Sequence, residues 1–423
     1  MKKSFKASLL PVAVAAASLM GAVAAHADGA EWHGYFRTQV GTTSAGGNLQ
    51  CFSPGGANSS KFRLGNECDD YAEASLGLPF GDANGVWGKY HVTFAYKPTA
   101  GGDYEAVGSS TEMANRENYF EAGGFFDKGA LEDAKLWVGK RFYNRTDIHI
   151  NDYYYWENSG PGAGIEEIKI GSAKAAVAYL QGGGNDKSAT TEQAKRLSLR
   201  AYDITTNENG KLEGEYVSIR QAAPNGPNRD GSMYMLQHVQ SGFLGGFNKI
   251  ALVGGTNVPD QTWAMGIVPT WAGGVTGTAT PTDPRANLLR LHESFAFDLK
   301  GTNWSGMLSA SLGKINGDTA NYDFWNVGVR PQYNFSANKS IAIELSHTEG
   351  SNATAGGDRP MLNKLTIAPQ LTLSGGFWAR PVLRAFVTYA QWNDAARANG
   401  IANGVFGTSN NATQVGFQAE AWW

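Results

Sequence analysis

The end of the chain, residues 416–423, constrains the fold most strongly. With the two-residue period of a β-strand, one face carries Phe417, Ala419, Ala421 and Trp423. The other face carries Gly416, Gln418, Glu420 and Trp422. An apolar face that ends on a terminal aromatic is typical of a strand with lipid on one side and water on the other. An indole on the water-facing side has no structural role in such a strand, so we interpret Trp422 as a ligand-contacting residue.

The first 27 residues predict a secretory signal peptide. A basic start precedes an apolar run from Leu9 to Met20, and Ala25-His26-Ala27 has the small-x-small pattern of a cleavage site. The alternative is a buried N-terminal helix. Cleavage leaves a single predicted domain, residues 28–423. It removes Lys2, Lys3 and Lys6 from the 35 basic residues. The remaining chain has 32 basic and 38 acidic residues, a net charge of −6. This balance argues against a nucleic-acid-binding surface.

The rest of the chain predicts an all-β protein. Beyond residue 27 no run of 18 apolar residues occurs, so no helical membrane span is predicted. Residues 289–300, 341–346 and 364–373 alternate between apolar and polar side chains. A soluble β-sandwich would alternate in the same way. The signal peptide, the terminal aromatic strand and aromatic residues at strand ends favour a membrane barrel of roughly 16 to 18 strands.

Polar stretches between the predicted strands indicate surface loops, which we place at residues 182–193, 205–209, 221–231 and 351–358. The two cysteines, Cys51 and Cys68, predict a disulfide that staples a long surface loop, because an exported chain passes through an oxidising compartment. Two free thiols are the alternative.

Several aromatic residues share the charged phase of their strands. Tyr35 alternates in step with Arg37, Tyr71 with Glu73, Phe247 with Lys249, and Trp378 with Arg380 and Arg384. Apolar faces of sugar rings stack on aromatic planes, and sugar hydroxyls bond to ionised side chains. The pattern therefore predicts a lumen that handles carbohydrate. The alternative for each ring is a membrane-interface or plug-packing role.

Residues 140–156 combine both charge signs with many aromatics, and the Gly-rich stretch 159–164 that follows is predicted to break the chain. Such a segment is suited to fold into the lumen and narrow it. Asp147, His149 and Asp152 are candidate metal ligands, but their spacing matches no metal motif, and we favour a hydrogen-bonded loop network.

These residues resemble the maltoporins, the trimeric maltodextrin-specific porins of Gram-negative outer membranes. The resemblance is carried by short motifs along the whole mature chain: 33–35, 62–68, 139–143, 154–156 with 159–164, 246–249, 378–381 and 422–423. It implies an 18-stranded antiparallel transmembrane β-barrel, three per assembly, each pore narrowed by an inward-folded third loop.

The resemblance also implies site residues. The family's aromatic slide falls on Tyr71, Tyr35, Trp422, Trp378 and Phe247, with Tyr104 in place of a Trp that reaches in from the neighbouring subunit. Its polar track falls on Arg37, Arg63, Glu73, Arg116, Arg145, Asp147, Asp152 and Tyr154, with His149 nearby. The smaller ring of Tyr104 and a shortened region 394–414 depart from the family pattern.

The predicted function is facilitated diffusion of maltose and maltodextrins, with no bond broken and no cofactor. The alternatives are a sugar porin of other specificity, such as sucrose, and a general diffusion porin. An outer-membrane enzyme is disfavoured because neither G-x-S-x-G nor H-E-x-x-H occurs. The sequence leaves open a receptor role of the surface loops, including phage attachment, and Ca²⁺ bound in those loops.

Overall fold

The computed structural model describes residues 29–54, 61–67, 69–81, 84–98, 111–181, 195–221, 229–259, 285–317, 321–350 and 358–423. The predicted signal peptide, Cys68, Tyr104 and the predicted loop 182–193 lie outside these ranges, as do most of 221–231 and 351–358. The part of the chain that is described consists of β-strands with one short helix, α1 (Asp394–Ala398). Short 3-10 turns lie at Gly129–Leu131, His149–Asn151, Phe243–Gly245 and Ile401–Gly404.

The strands are β1 (Glu31–Thr43), β2 (Tyr71–Gly81), β3 (Trp87–Pro98), β4 (Thr111–Gly123), β5 (Lys135–Arg141), β6 (Arg145–Ile148), β7 (Tyr153–Glu157), β8 (Gly160–Ile170), β9 (Ala173–Gln181), β10 (Lys195–Asn207), β11 (Gly210–Gln221), β12 (Arg229–Ser241), β13 (Phe247–Pro259), β14 (Arg285–Asp298), β15 (Trp304–Gly317), β16 (Asn321–Asn334), β17 (Lys339–Gly350), β18 (Met361–Thr372), β19 (Val382–Trp392) and β20 (Asn411–Trp422).

Eighteen of these strands form one closed antiparallel barrel, as predicted. Each barrel strand pairs with its neighbours along the chain, with β5 next to β8, and β1 pairs with β20 to close the ring. The hairpin of β6 and β7 is a separate two-stranded sheet. No helix in the described ranges is long and apolar enough to cross a bilayer.

The alternation of the strands confirms the predicted two-faced pattern. In β20, Gln414, Gln418 and Glu420 are buried inside the barrel, whereas Val415 and Phe417 are exposed on its outside. The predicted faces of β14, β17 and β18 also hold. A closed barrel leaves no unpaired sheet edge, so every strand can present apolar side chains to lipid.

The two ends of the barrel differ. At one end, named here the short-turn end, the connections are brief, for example residues 208–209, 242–246 and 335–338. At the other end, the long-loop end, they include residues 44–70, 142–159 and 393–410.

Two local predictions are wrong. Residues 205–207 belong to β10, so the predicted loop 205–209 is reduced to a two-residue turn. The Gly-rich stretch does not break the chain, because β8 begins at Gly160. A side chain at Gly164 would meet the Trp137 ring, so this glycine lets the ring pack against the strand.

The long connection between β19 and β20 folds over the long-loop end. Asn393 caps α1 through its side chain, which accepts a bond from the Ala396 N–H at 3.0 Å. Phe406 and Trp392 then pack against Phe52, with ring centroids 5.9 Å from Phe52 in both cases. This aromatic cluster ties the last connection to the first.

Candidate functional site

The connection between β5 and β8, residues 142–159, folds into the lumen as predicted; it is named the β6–β7 segment. Its main anchor is the buried Glu215 carboxylate on β11, which accepts bonds from Trp156 Nε1 at 2.7 Å and Asn158 Nδ2 at 2.7 Å. Arg290 on β14 donates to the Tyr155 carbonyl oxygen at 3.1 Å. The segment therefore folds into the interior and is bonded to the wall at β11 and β14.

Residues 61–67, between β1 and β2, also fold inward and are named the 61–67 segment. The prediction of a long surface loop is wrong for this part, because Phe62, Leu64 and Asn66 are buried. Glu344 on β17 accepts a bond from the Leu64 N–H at 3.1 Å, and Lys364 approaches the same carboxylate at 2.8 Å. Arg330 from β16 donates to its other oxygen at 2.7 Å, which completes a buried ionic triad.

The two inward segments meet in the lumen. The Arg63 N–H donates to the Ile150 carbonyl oxygen at 2.9 Å, a backbone bond between them. Phe62 adopts a positive φ of 45°, uncommon for an aromatic residue, and its ring packs where a side chain at Gly328 on β16 would collide. Together the segments narrow the barrel interior.

A row of aromatic rings passes through the space that remains. Tyr71 opens β2 at the long-loop end, and its ring centroid lies 6.3 Å from that of Tyr35. Tyr35 pairs in register with Trp422 on β20. At the short-turn end, Trp378 and Phe247 stack with centroids 6.3 Å apart and an interplanar angle of 28°. The aromatic row thus extends from Tyr71, which pairs in register with Arg37 in the middle of β1, to Phe247 at the short-turn end.

His149, in the turn between β6 and β7, contacts two rings of the aromatic row. Its ring centroid lies 5.0 Å from Trp378 and 5.8 Å from Trp422. Burial, together with the nearby Arg63 charge, holds the pKa of His149 well below its usual range, so the imidazole is neutral. The sequence placed His149 near the polar track, and its contact with two slide rings was not predicted.

Trp378 joins the aromatic row from a turn and not, as predicted, from a strand. It lies in the turn between β18 and β19, outside any strand, so its phase with Arg384 carries no information. Arg380 fixes this turn by donating to the Phe377 carbonyl oxygen at 3.1 Å. Its guanidinium carbon also lies 4.0 Å from the Trp422 ring centroid.

Charged side chains surround the row. Arg37 on β1 approaches Asp69 at 2.7 Å and both Glu67 and Asp152 at 3.2 Å. Lys61 approaches Asp152 at 3.0 Å. Burial acts to raise the pKa of Asp152, but Lys61, Arg63 and Arg37 outweigh it and hold that pKa well below its usual range. This ionic junction joins the 61–67 segment, the β6–β7 segment and the wall.

Arg63 is buried next to Tyr35. It is 6% exposed, bonds to Glu67 and to the Tyr35 hydroxyl, and approaches Glu420 at 3.1 Å. Glu420 also pairs with Arg380 at 2.8 Å and Arg384 at 3.1 Å. The predicted role of Arg63 as a hydroxyl donor stays a prediction, and the cluster around Glu420 was not predicted.

The remaining polar-track residues lie near Tyr71. Arg116 donates to the Tyr71 hydroxyl at 2.9 Å and approaches Glu73 at 3.7 Å. The Arg145 guanidinium carbon lies 3.7 Å from the Tyr154 ring centroid. Burial raises the pKa of the Tyr154 hydroxyl to about 12, so it is neutral at physiological pH.

The metal alternative finds no support among the side chains that the structure describes, which contain no group of three His, Cys, Asp or Glu placed to hold a metal ion. Cys51 is not a free thiol. Because Cys68 lies outside the described ranges, its pairing with Cys51 stays a prediction. The same holds for Tyr104 as the sixth ring of the slide.

Comparisons with solved structures agree with the barrel fold. OpdK of Pseudomonas aeruginosa, solved with vanillate, superposes with a TM-score of 0.51 at 10% identity, covering 94% of this chain and 99% of that one. A BenF-like porin from Pseudomonas fluorescens Pf-5 gives 0.51 at 10% identity, with 93% and 99% covered. OccK2 (OpdF) of Pseudomonas aeruginosa gives 0.50 at 12% identity, with 94% and 99% covered. At such identities the likeness shows the fold alone.

A protein-family model described as LamB porin matches residues 30–423. The match covers almost the whole chain, including both inward segments and every described residue of the aromatic row. The chain therefore belongs to the LamB porin family, channels of the Gram-negative outer membrane that pass sugars or other solutes.

Proposed function

We propose that this channel passes neutral oligosaccharides of the maltodextrin class by facilitated diffusion. The observation that carries the proposal is the aromatic row, which extends from Tyr71, where β2 begins, to Phe247 at the short-turn end. Rings stack on the apolar faces of sugars, and a series of weak overlapping sites lets a solute leave as readily as it enters.

The charges around the row support an uncharged solute. The guanidinium groups nearest the rings are paired with carboxylates: Arg37 with Asp69, Arg116 with Glu73, and Arg380 with Glu420. Each pair leaves little net charge beside the rings to attract an anion. Paired groups of both signs can still donate to and accept from sugar hydroxyls.

The test is block of ion current through single channels in a planar bilayer. Maltotriose should block the wild type in a saturable way. Trp378→Ala and Tyr35→Ala should each raise the half-blocking concentration by about tenfold, since one base–aromatic stack is worth about 1–3 kcal/mol and sets the scale. Phe417→Ala, on the lipid-facing side of β20, is the matched control and should leave the block unchanged.

Unchanged block in both row variants would refute the role of the row. A wild type without saturable block would favour a general diffusion porin instead. Titration with maltose, maltotriose, sucrose and xylose oligomers separates the maltodextrin class from other sugars.

We further propose that three copies assemble. Asn118 on β4 and Lys140 on β5 pair in register on the outer face of the barrel, where Lys140 Nζ donates to the Asn115 carbonyl oxygen at 2.6 Å. A lysine on the lipid-facing side of a barrel costs about 2–4 kcal/mol at the bilayer midplane and less toward the interfaces. Contact with a neighbouring copy would remove that cost, and Tyr104 would reach the neighbour's pore as in the family. Native mass spectrometry in detergent should detect trimers, and a monomer alone would contradict this.

A further inference from the structure

A groove of about 420 Å³ crosses the outer wall of the barrel on β16 to β19. An apolar row in it consists of four residues that pair in register across these strands: Val329, Leu345, Leu365 and Tyr389. Their neighbours along the strands, such as Arg330 and Glu344, are buried inside the barrel, so the row faces the bilayer. The volume lies within the range of about 300–1,000 Å³ that is typical of small-molecule sites.

A polar row borders the apolar row on the side of the long-loop end. His347, Asn363 and Gln391 pair in register and line the same groove. A hydrogen bond of 2.7 Å joins His347 Nδ1 to Asn363 Oδ1. Because these three residues also point outward, the groove passes from apolar to polar surface. A lipid changes in the same way between its acyl chain and its head group.

Trp325 on β16 extends this surface toward the long-loop end. Its ring centroid lies 4.4 Å from that of His347, with an interplanar angle of 32°. One part of the indole therefore contacts the imidazole, and Trp325 remains 40% exposed. An exposed indole at the membrane interface can stack on the apolar face of a sugar ring.

Charged side chains continue the polar row. Arg359 Nη1 donates to both carboxylate oxygens of Asp323 at 3.0 Å, and Arg359 also pairs with Glu349. Glu349 in turn approaches His347 Nε2 at 3.7 Å. Lys314 pairs in register with Asp323, so the formal charges of two basic and two acidic residues cancel. Such a surface offers donors and acceptors to hydroxyl groups but no net attraction to a phosphate.

We propose that the groove binds one lipid with a saccharide head group. An acyl chain lies on Leu345 and Leu365, and a sugar unit stacks on Trp325 and bonds to the polar row. Strands β20 and β1 to β4 separate β19 from β5, so the groove lies away from the contact proposed for the trimer. The site is on the outside of the barrel and does not depend on what the lumen transports.

The experiment is native mass spectrometry of the protein in a polyoxyethylene detergent, which has no sugar head group to compete. The protein is titrated with digalactosyl diacylglycerol or with phosphatidylglycerol that has the same acyl chains. The wild type should bind the glycolipid about tenfold more tightly, the scale of one ring stacked on an aromatic side chain. Trp325→Ala should abolish this preference. Val329→Trp should weaken the binding of both lipids, because the added indole fills the apolar part of the groove.

Two matched controls make the same chemical changes elsewhere on the outer wall. Trp304 on β15 is 42% exposed at the short-turn end, where its ring centroid lies 5.0 Å from that of Tyr333. Trp304→Ala removes an indole of similar exposure and should leave the glycolipid preference unchanged. Leu289→Trp adds an indole to the exposed outer face of β14 and should leave the binding of both lipids unchanged.

Equal binding of the two lipids by the wild type would overturn the proposal, because the acyl chains alone would then decide retention. An intact preference in Trp325→Ala, or an equal loss in Trp304→Ala, would overturn the position of the site. Maltotriose block of the same variants reports on the lumen, so the groove and the proposed function can fail separately.

Discussion

The two inward segments differ in how the buried carboxylate that anchors each of them is stabilised. The 61–67 segment depends on Glu344, whose carboxylate is balanced by two cations, Arg330 and Lys364. The β6–β7 segment depends on Glu215, whose carboxylate is satisfied by neutral donors from Trp156 and Asn158. A buried charge can be stabilised by counter-ions or by several hydrogen bonds, and the two routes predict different costs when the carboxylate is removed.

Removal of Glu344 should have the largest effect. Glu344→Leu leaves Arg330 and Lys364 buried and unpaired, so we expect a loss of about 3–5 kcal/mol in the free energy of unfolding. The 61–67 segment should also detach, which raises open-channel conductance. Denaturant unfolding in detergent and bilayer recording measure the two effects.

The triple variant Arg330→Met, Glu344→Leu, Lys364→Met sharpens this comparison. It removes the whole triad, so unfolding stability should largely return while conductance stays high. A Glu344→Leu protein as stable as the wild type would show that the triad contributes nothing to the anchor.

Replacement of Glu215 should have a smaller effect. Glu215→Gln keeps one acceptor oxygen and leaves no unpaired pair of cations, so we expect a loss of about 1–3 kcal/mol. Conductance should rise because the β6–β7 segment loosens. Glu166→Gln, which breaks a wall pair with Arg141 at 2.8 Å, should leave conductance unchanged. Equal conductance in the two variants would contradict the anchor role of Glu215.

Lowering the pH should protonate Asp147 before it protonates Asp152, which belongs to the ionic junction between the two inward segments. Burial raises the pKa of Asp147, whereas nearby cations hold the pKa of Asp152 well below its usual range. As pH falls, Asp147 is therefore protonated first and maltotriose block should weaken. The stabilising contribution of Asp152 is complete above the ordinary aspartate pKa and is lost only as pH falls through its own depressed pKa.

Current recordings between neutral and mildly acidic pH check this order. Asp147→Asn should flatten the pH dependence of the block, and Asp152→Asn should not. An unaltered pH profile in Asp147→Asn would assign the titration to another group.

Reduction of the proposed Cys51–Cys68 bridge should have the smallest effect. The Leu64 backbone stays bonded to Glu344 when the bridge is open, so conductance should not change. Faster proteolysis near residues 51–68 should be the main consequence. A large rise in conductance on reduction would mean that the bridge, and not the triad, holds the 61–67 segment.

The strands could be predicted from sequence because their signal is local. Side chains that alternate along β20 must face opposite sides, so Gln418 and Phe417 were placed correctly without any partner strand. Strand ends were harder to place, as residues 205–207 show, because polar residues suit both a strand end and a loop.

The candidate site was predicted only in part. Rings within strands, such as Tyr35 and Trp422, followed from phase, but Trp378 lies in a turn where phase does not apply. The anchors were missed because Glu344 and Glu215 look like ordinary water-facing residues of their strands. Their partners belong to segments far away in the chain, and no periodic pattern encodes such contacts.

The bond between Leu64 and Glu344 links distant parts of the chain. The two residues are 280 positions apart, so the 61–67 segment is held by strands from the far end of the sequence. The width of the lumen therefore depends on contacts that join the first connection of the barrel to its last strands. A change in β17 or β18 can alter the pore as much as a change in the residues that line it.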